Sequence, residues 1–266
     1  MRRIRVIPVL LIQNGGLVKS IKFKKHKYVG DPINAVKIFN DKEVDEIAIL
    51  DISASKEKRA PNIEKIKEFA AEAFMPMAYG GGITTLDQIK RILFEGVEKV
   101  VLNTSALKSP DLITQGAGQF GSQSIVVSID VKKTLFGKYK VMGNCGMKST
   151  GLDPVQFAQK MEKAGAGEIF LTSVDRDGTY DGYDIDLIQQ VADSVNIPVI
   201  ACGGAAKVPD FYTAVSKGKA SAVAAGSLFV FQGPHRAVLI NYPPQEQLKK
   251  ELFLKLVQPI TNSVSS

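Results

Sequence analysis

The sequence predicts an α/β fold, a closed (β/α)8 TIM barrel. Short apolar runs alternate with segments of helical period, which is the pattern of βα units around a parallel sheet. The runs number eight, the number of strands that closes such a barrel. The chain of 266 residues matches the roughly 250 residues of one barrel, and no linker or change of composition divides it. A single domain over residues 1–266 is therefore expected.

The strands follow from β-rich apolar runs bounded by turn residues. They are expected at Arg5–Leu10, Glu46–Asp51, Pro76–Tyr79, Lys99–Leu102, Ile125–Asp130, Glu168–Ser173, Pro198–Ala201 and Ala222–Ala225. The first run makes a better strand than a signal peptide, because no small-residue cleavage site follows it.

Helices are expected where apolar residues recur at helical spacing. These segments are Asn62–Ala73, Thr85–Glu95, Asp153–Ala164 and Pro209–Lys217, with a closing helix over Gln245–Leu256 and a frayed tail over Thr261–Ser266. Asp31-Pro32 and Asp153-Pro154 are typical of an N-cap followed by proline at the first helical position.

Composition excludes several classes of protein. The chain is 45% hydrophobic and 23% charged, as globular proteins are, and has no apolar window of about 18 residues that would predict a membrane span. Cys145 and Cys202 have neither metal-ligand spacing nor a disulfide framework, so a reducing cytoplasm is expected. His26 and His235 are too few for a histidine-rich metal site, and neither has a discernible catalytic partner. No metal and no cofactor are expected.

The net charge of +7 is partly concentrated in Lys19–Lys27, KSIKFKKHK. This segment is either a solvated mobile loop or a site that attracts phosphate. Nucleic-acid binding is the weakest interpretation, because no recognised binding motif accompanies the charge.

An internal repeat divides the barrel into two fused halves. The segment PMAYGGGITTLDQIKRIL, from Pro76, has the pattern of PVIACGGAAKVPDFYTAV, from Pro198, and the strands that follow them also match. When strands 1 and 5 are aligned in the same way, Leu11 at the end of strand 1 is equivalent to Asp130 at the end of strand 5.

The repeat predicts two phosphate sites at the carboxyl ends of the strands. The first is formed by Gly80–Gly82 with Asn103 and Thr104, the second by Gly203 and Gly204 with Gly226 and Ser227. Glycine lets backbone N–H groups approach an anion closely. One such pair alone would indicate only a tight turn, but two in equivalent halves favour a ligand with two phosphates.

Several motifs together carry a family resemblance. LDISAS at Leu50–Ser55, GGGI at Gly80–Ile83, SIDVK at Ser128–Lys132, LTSVDRDGTYDGYD at Leu171–Asp184 and ACGGA at Ala201–Ala205 resemble the HisF family, the cyclase subunit of imidazole glycerol phosphate synthase. The resemblance extends to about Phe231. It implies a barrel that binds a long bisphosphate across its top, while a glutaminase at the bottom sends ammonia through the barrel core.

The resemblance also assigns residues. Of the two catalytic aspartates, Asp130 is retained, but the strand-1 aspartate falls on Leu11, which cannot transfer a proton. The loop lysine is retained as Lys19. The implied phosphate-binding residues are Gly82, Asn103, Thr104, Asp177, Gly178, Gly204, Gly226 and Ser227, with Gly226 at a position that is usually alanine.

At the other end of the barrel, the resemblance implies a charged ring that gates ammonia entry. Its members are Arg5, Glu46, Lys99 and Glu168, and Glu98 is the candidate contact for the glutaminase. Structural ion pairs that plug the barrel are the alternative interpretation of the ring. Cys145, in the loop after strand 5, is either a reactive thiol or a buried loop residue.

Because it retains the gate and lacks one aspartate, the chain resembles the HisF-like proteins of surface-polysaccharide sugar amidation. The chain would then pair with a HisH-like glutaminase and supply ammonia to a separate amidotransferase acting on a sugar in lipopolysaccharide biosynthesis. The alternative is an active cyclase subunit, a lyase of histidine biosynthesis, in which another group replaces the missing carboxylate. Isomerisation of an aminoaldose is a third interpretation, but it needs the same acid–base pair. Whether the chain is itself an enzyme therefore stays open.

Overall fold

A computed structural model describes residues 4–233 and 235–257, in which eight parallel strands close into a barrel. They are β1 (Arg5–Gln13), β2 (Ile47–Asp51), β3 (Met77–Gly80), β4 (Lys99–Leu102), β5 (Ile125–Lys133), β6 (Glu168–Ser173), β7 (Val199–Cys202) and β8 (Ala222–Ala225). Each strand pairs with the next along the chain, and β8 returns to β1 with Arg5 opposite Ala222. The predicted barrel is confirmed.

Helices cover the outside of the barrel. They are α1 (Pro32–Asp41), α2 (Ile63–Glu72), α3 (Leu86–Phe94), the short α4 (Thr104–Lys108), α5 (Asp111–Phe120), α6 (Pro154–Lys163), α7 (Ile185–Ala192) and α8 (Val208–Ser216). Asp31 and Asp153 cap α1 and α6 as predicted, and each side chain accepts hydrogen bonds from backbone N–H groups of the first turn. None of the helices in the described ranges is long and apolar enough to cross a membrane.

The chain closes with a helical segment in the predicted position, and this segment is not a regular α-helix. Two α-helical turns, α9 (Gln245–Leu248) and α10 (Leu254–Val257), flank a π-helical turn at Lys249–Phe253. Leu248 and Leu252 are fully buried against the barrel. The predicted frayed tail, Thr261–Ser266, lies outside the described residues.

Two strands extend beyond their predicted ends. β1 continues to Gln13 and β5 to Lys133, and these extensions pair antiparallel with hairpin strands that project from the carboxyl face. Leu11 and Asp130 therefore lie inside extended strands rather than at their exits. The β5 extension ends in two lysines, which the apolar pattern does not include, whereas in β1 the apolar run itself continues through Ile12 beyond the predicted end.

The basic segment is a β-hairpin and not the irregular loop that was one of its two interpretations. Gly16–Ile21 pairs antiparallel with Lys24–Gly30, and we call this pair the basic hairpin. Lys19 is only 3% exposed, whereas most of the Lys24–Gly30 strand faces solvent. The strand signal was hidden because solvent-facing lysines replace the usual β-branched residues.

Candidate functional site

The barrel interior forms a continuous axis between two polar ends. Alternate strand residues point inward, and those in the middle pack as one buried cluster. Its members are Ile7, Val9, Ala48, Ala78, Val101, Val126, Phe170, Ile200, Cys202, Ala222 and Ala224. Bulky branched residues usually fill such barrels. Four of the eleven members are alanines, which are smaller than those residues.

Four charged side chains close the amino-terminal end of that axis. Arg5 pairs with Glu46 and, through Nη2, with Glu168 Oε1 at 2.7 Å. Lys99 Nζ lies 3.0 Å from Glu46 Oε2 and 3.2 Å from Glu168 Oε2. The charges alternate around a closed ring with no net charge, and every member contacts both neighbours. Burial lowers the pKa of the Arg5 guanidinium, but the two glutamates outweigh it, so the pKa is raised.

The carboxyl end of the axis opens into a cup. The cup is lined from both halves of the barrel, and its lining includes most of the predicted catalytic and phosphate-binding residues: Leu11, Lys19, Gly82, Asn103, Thr104, Asp130, Asp177, Gly226 and Ser227. Gly178 and Gly204 lie in the adjoining loops. The structure therefore brings together residues that are far apart in sequence.

Asp130 lies in the cup as a buried carboxyl group. Its Oδ2 accepts a hydrogen bond from Asn103 Nδ2 at 3.1 Å, and Asn103 also donates to the Ser128 carbonyl oxygen. Burial raises the pKa of Asp130 to about 7, the Asn103 bond opposes this, and the negative charge of Asp177 adds to it. A carboxyl group with a pKa near neutrality can both donate and accept a proton under physiological conditions.

Lys19 reaches the same cup from the basic hairpin. Its ammonium group donates to the Val9 carbonyl oxygen. Burial lowers the pKa of Lys19 to about 8, against the opposing charge of Asp177. A Cβ atom at residue 226 would stand 2.7 Å from Lys19 Nζ, so Gly226 leaves the space that the amine occupies. The departure from the usual alanine therefore has a direct steric consequence.

Leu11 occupies the position in the first half that Asp130 occupies in the second. Leu11 pairs across the sheet with Leu50 and with Val18 of the basic hairpin. Asp130 likewise pairs with Thr172 on β6 and with Met142 on its own hairpin. The repeat thus predicted this equivalence correctly. At the cup, one half presents a carboxyl group and the other an alkyl side chain.

The two predicted phosphate turns have the same backbone geometry. Asn103 and Gly226, which precede the helical turns after β4 and β8, have φ/ψ angles of −120/−73° and −107/−72°. Gly82 and Gly204 both have positive φ, and a Cβ on either would overlap a backbone carbonyl oxygen of the preceding loop. Across the described residues, the N–H groups of Gly178 and Gly204 have no acceptor. Unpaired N–H groups at close-approach glycines are what an anion site requires.

The basic hairpin is anchored beside the second turn. Asp177 accepts a hydrogen bond from Ser20 Oγ at 3.3 Å, and its carbonyl oxygen accepts one from Lys22 N at 2.9 Å. Phe23, at the hairpin tip, packs against Gly146 in the loop after β5. Burial raises the pKa of Asp177 to about 6, and Lys19 and Ser20 oppose the shift. The hairpin thus covers one side of the cup.

Three further residues at the carboxyl face received no definite role from the sequence. His26, which was given no role, lines the cup. Cys145 also lines it and is half-buried, with its thiol donating to the Ile52 carbonyl oxygen at 3.4 Å. Asp51 was recognised only as part of a motif. It holds its loop by accepting bonds from Ser53 N and Ala54 N and by pairing with Arg59 at 3.1 Å.

The opposite face carries exposed apolar side chains beside Glu98. Phe74 precedes β3 and Phe94 ends α3, and their exposed fractions are 82% and 87%. Glu98 is also exposed and directly precedes Lys99 of the ring. Both phenylalanines lie in the segments that lead into β3 and β4, at the amino-terminal ends of the strands. Exposed phenylalanines there favour a surface that another protein covers.

Comparison with known proteins places this geometry in context. The model of the family described as "Histidine biosynthesis protein" matches residues 5–234. Proteins named "Putative imidazole glycerol phosphate synthase subunit", hisF2 of Pseudomonas aeruginosa and HisF of Leptospira interrogans, are 53% and 47% identical to the chain. The matches cover 93% and 94% of this chain and 99% and 98% of those proteins. Imidazole glycerol phosphate synthase subunit HisF of Alkaliphilus metalliredigens is 44% identical over 85% of this chain and 89% of its own length.

Proposed function

This chain belongs to the histidine biosynthesis protein family and, within it, to HisF, and from this premise we propose that it conducts ammonia along its barrel axis to the phosphate-binding cup. The observation that carries the proposal is the alignment of three features on one axis. A ring of charged residues with no net charge, an apolar interior that includes four alanines, and a cup with the two predicted phosphate turns follow one another from the amino-terminal to the carboxyl end. A ring whose members all have alternative partners can open without leaving a charge unpaired.

A HisH-like glutaminase is the proposed source of the ammonia. The relatives are named as subunits of a synthase, which supports a partner chain for this protein. Phe74, Phe94 and Glu98 supply an exposed surface around the ring, where ammonia would enter. Purified glutaminase should gain activity toward glutamine when this chain is added. If mixing leaves the glutaminase inactive, the ammonia-conducting proposal fails.

Leu11 supports an acceptor other than the imidazole precursor. Among the described carboxylates that line the cup, Asp51 is paired with Arg59 and Asp177 anchors the basic hairpin, which leaves Asp130 without an acid–base partner at position 11. Amination with ring closure requires two such groups. We therefore propose that the ammonia passes to a separate amidotransferase acting on a sugar of surface polysaccharide or lipopolysaccharide.

The second candidate function is ring closure itself, and the printed names of the relatives favour it. The two candidates differ in one measurement. An active cyclase would aminate the ribulosyl bisphosphate precursor with ammonium ions as the nitrogen source and cleave it into imidazole glycerol phosphate and a second fragment that carries the other phosphate. Turnover at an ordinary enzymatic rate would select the cyclase, whereas binding of the precursor without turnover would select the ammonia-conducting subunit.

A further inference from the structure

A short hairpin after β8 returns to the carboxyl face beside the second phosphate turn. Its strands are Phe231–Gln232 and Ala237–Val238, paired antiparallel. Arg236 precedes the return strand with a left-handed backbone, φ +49°. No motif of the sequence pointed to this residue.

Arg236 contacts the two loops that form the second phosphate turn. Its Nη2 donates to the Gly178 carbonyl oxygen at 3.2 Å, in the loop after β6. Its guanidinium lies over the Tyr180 ring, 4.9 Å from the centroid. The Tyr180 hydroxyl in turn donates to the Ser227 carbonyl oxygen at 3.0 Å, at the exit of β8. Arg236 is therefore held beside the turn by both loops.

The charge of Arg236 is uncompensated. The side chain is half-buried, and within residues 4–233 and 235–257 it forms no ion pair. A carbonyl oxygen and an aromatic ring use little of a group that has five N–H donors. A half-buried cation is stabilised by an anion close by. The unpaired N–H groups of Gly178 and Gly204 indicate where that anion binds.

The loop after β2, which is the first-half counterpart of the Gly178 loop after β6, also carries an arginine, but that arginine is paired. Arg59, whose carbonyl oxygen lies against Gly82, has its guanidinium paired with Asp51 and Glu57, each at 3.1 Å. Its charge is already neutralised inside the loop. Among the described residues, the second turn therefore has an arginine without an ion pair beside it, Arg236, whereas Arg59 beside the first turn is paired.

We propose that Arg236 is a binding residue of the second phosphate site, and that its guanidinium pairs with the phosphoryl oxygens of a phosphorylated ligand held at Gly178, Gly204 and Ser227. The inference rests on the two phosphate sites of the proposed function. Arginine suits this role because its planar fork can bind two phosphoryl oxygens at once. The second site should therefore bind phosphate more tightly than the first.

The test is a titration of the ¹⁵N-labelled full chain with inorganic phosphate, followed through its backbone amide resonances. Gly178, Gly204 and Ser227 report the second site, and Gly82 and Thr104 report the first. Arg236→Gln should raise the dissociation constant at the second site by about tenfold or more and leave the first within about twofold. Arg236→Lys should give an intermediate loss, because it keeps the charge but not the fork. Lys207→Gln removes an exposed charge from the loop after β7 and should change neither site by more than about twofold.

The outcomes separate the inference from its premise. If phosphate shifts no amide of either site in the unmodified protein, the proposed phosphate sites fail, and the role of Arg236 fails with them. If both sites bind and Arg236→Gln leaves the second unchanged, the sites stand and Arg236 is excluded. Equal weakening of both sites in Arg236→Gln would also exclude it, because a general change of charge or folding would then be the cause.

Discussion

At the scale of single residues, Leu11 determines which chemistry the cup can perform. The structure places it where Asp130 stands in the other half, with equivalent strand pairing on both sides. The rest of the cup includes Asp130, Lys19 and both phosphate turns. A single side chain therefore separates this site from one with paired carboxyl groups.

We expect Leu11→Asp to raise ring closure with ammonium ions by about 10²-fold or more, since a positioned acid–base group contributes about 10²–10⁴-fold. The assay is formation of imidazole glycerol phosphate from the ribulosyl bisphosphate. Leu11→Asn is the matched control, because it has nearly the size of aspartate but no titratable proton. Equal rates in the two variants would mean that polarity or space at position 11, and not proton transfer, limits the reaction.

Asp130 should make the stability of the protein depend on pH. Burial raises its folded pKa to about 7, above the unfolded value of about 3.9, so the folded state holds the proton more tightly. The associated stability is fully present below pH 3.9 and is lost as pH rises through 7. Asp130→Asn keeps the acceptor for Asn103 and cannot ionise. Between pH 5 and 8, the unmodified protein should therefore lose about 2–3 kcal/mol more unfolding free energy than Asp130→Asn.

Denaturant unfolding at the two pH values measures this difference. Changes at Lys19 and Asp177 are common to both proteins and largely cancel. Parallel pH profiles for the two proteins would show that Asp130 titrates normally in the fold.

At the scale of elements, the apolar pattern predicted the barrel strands well, because strands buried on both faces consist of continuous runs of apolar residues. The basic hairpin and the extensions of β1 and β5 escaped prediction for the opposite reason. All of them project toward the hairpins at the carboxyl face, and the basic hairpin and the β5 extension also expose lysines. Arg236 was missed because its partners Gly178 and Tyr180 are distant in sequence.

Gly178 should control the docking of the basic hairpin. A Cβ there would overlap the Ser20 carbonyl oxygen, so Gly178→Ala should displace the hairpin from the loop after β6. Gly151→Ala is the matched control, because its φ of +77° is close to the +68° of Gly178 but no atom lies within 4 Å of its Cβ position. Both variants carry similar backbone strain, and only one carries the clash.

Limited trypsin digestion reads out this docking, because the hairpin tip carries Lys22, Lys24 and Lys25. Cleavage there should be several-fold faster in Gly178→Ala than in Gly151→Ala. Equal cleavage rates would indicate that the hairpin holds its place without the close approach at Gly178.

At the scale of the whole molecule, positive charge is concentrated in two segments of the carboxyl face. The basic hairpin and residues 131–150 contain five lysines each and no acidic residue, ten positive charges against a net +7, so the rest of the chain is net negative by three. Composition gave the total but could not show that both segments project from the carboxyl face. Attraction of phosphorylated ligands to that face should weaken as salt is added.

Passage of ammonia through the barrel should depend on the small side chains among its interior residues. Ala48 lies two residues above Glu46 of the ring, inside the barrel, and is 1% exposed. Ala48→Leu should obstruct the axis and lower glutamine-dependent ring closure, measured with the glutaminase in the Leu11→Asp background. Reaction with added ammonium ions, which reach the cup from its open end, should be retained.

Ala158→Leu on α6 is the matched control, because Ala158 is also fully buried but lies between the strands and the helices. Both substitutions add the same side-chain volume and should each lower the free energy of unfolding by about 1–3 kcal/mol. A fall in the ratio of glutamine-dependent to ammonium-dependent ring closure in Ala48→Leu alone would identify the axis as the route. An equal fall in both variants would mean that ammonia reaches the cup by another path.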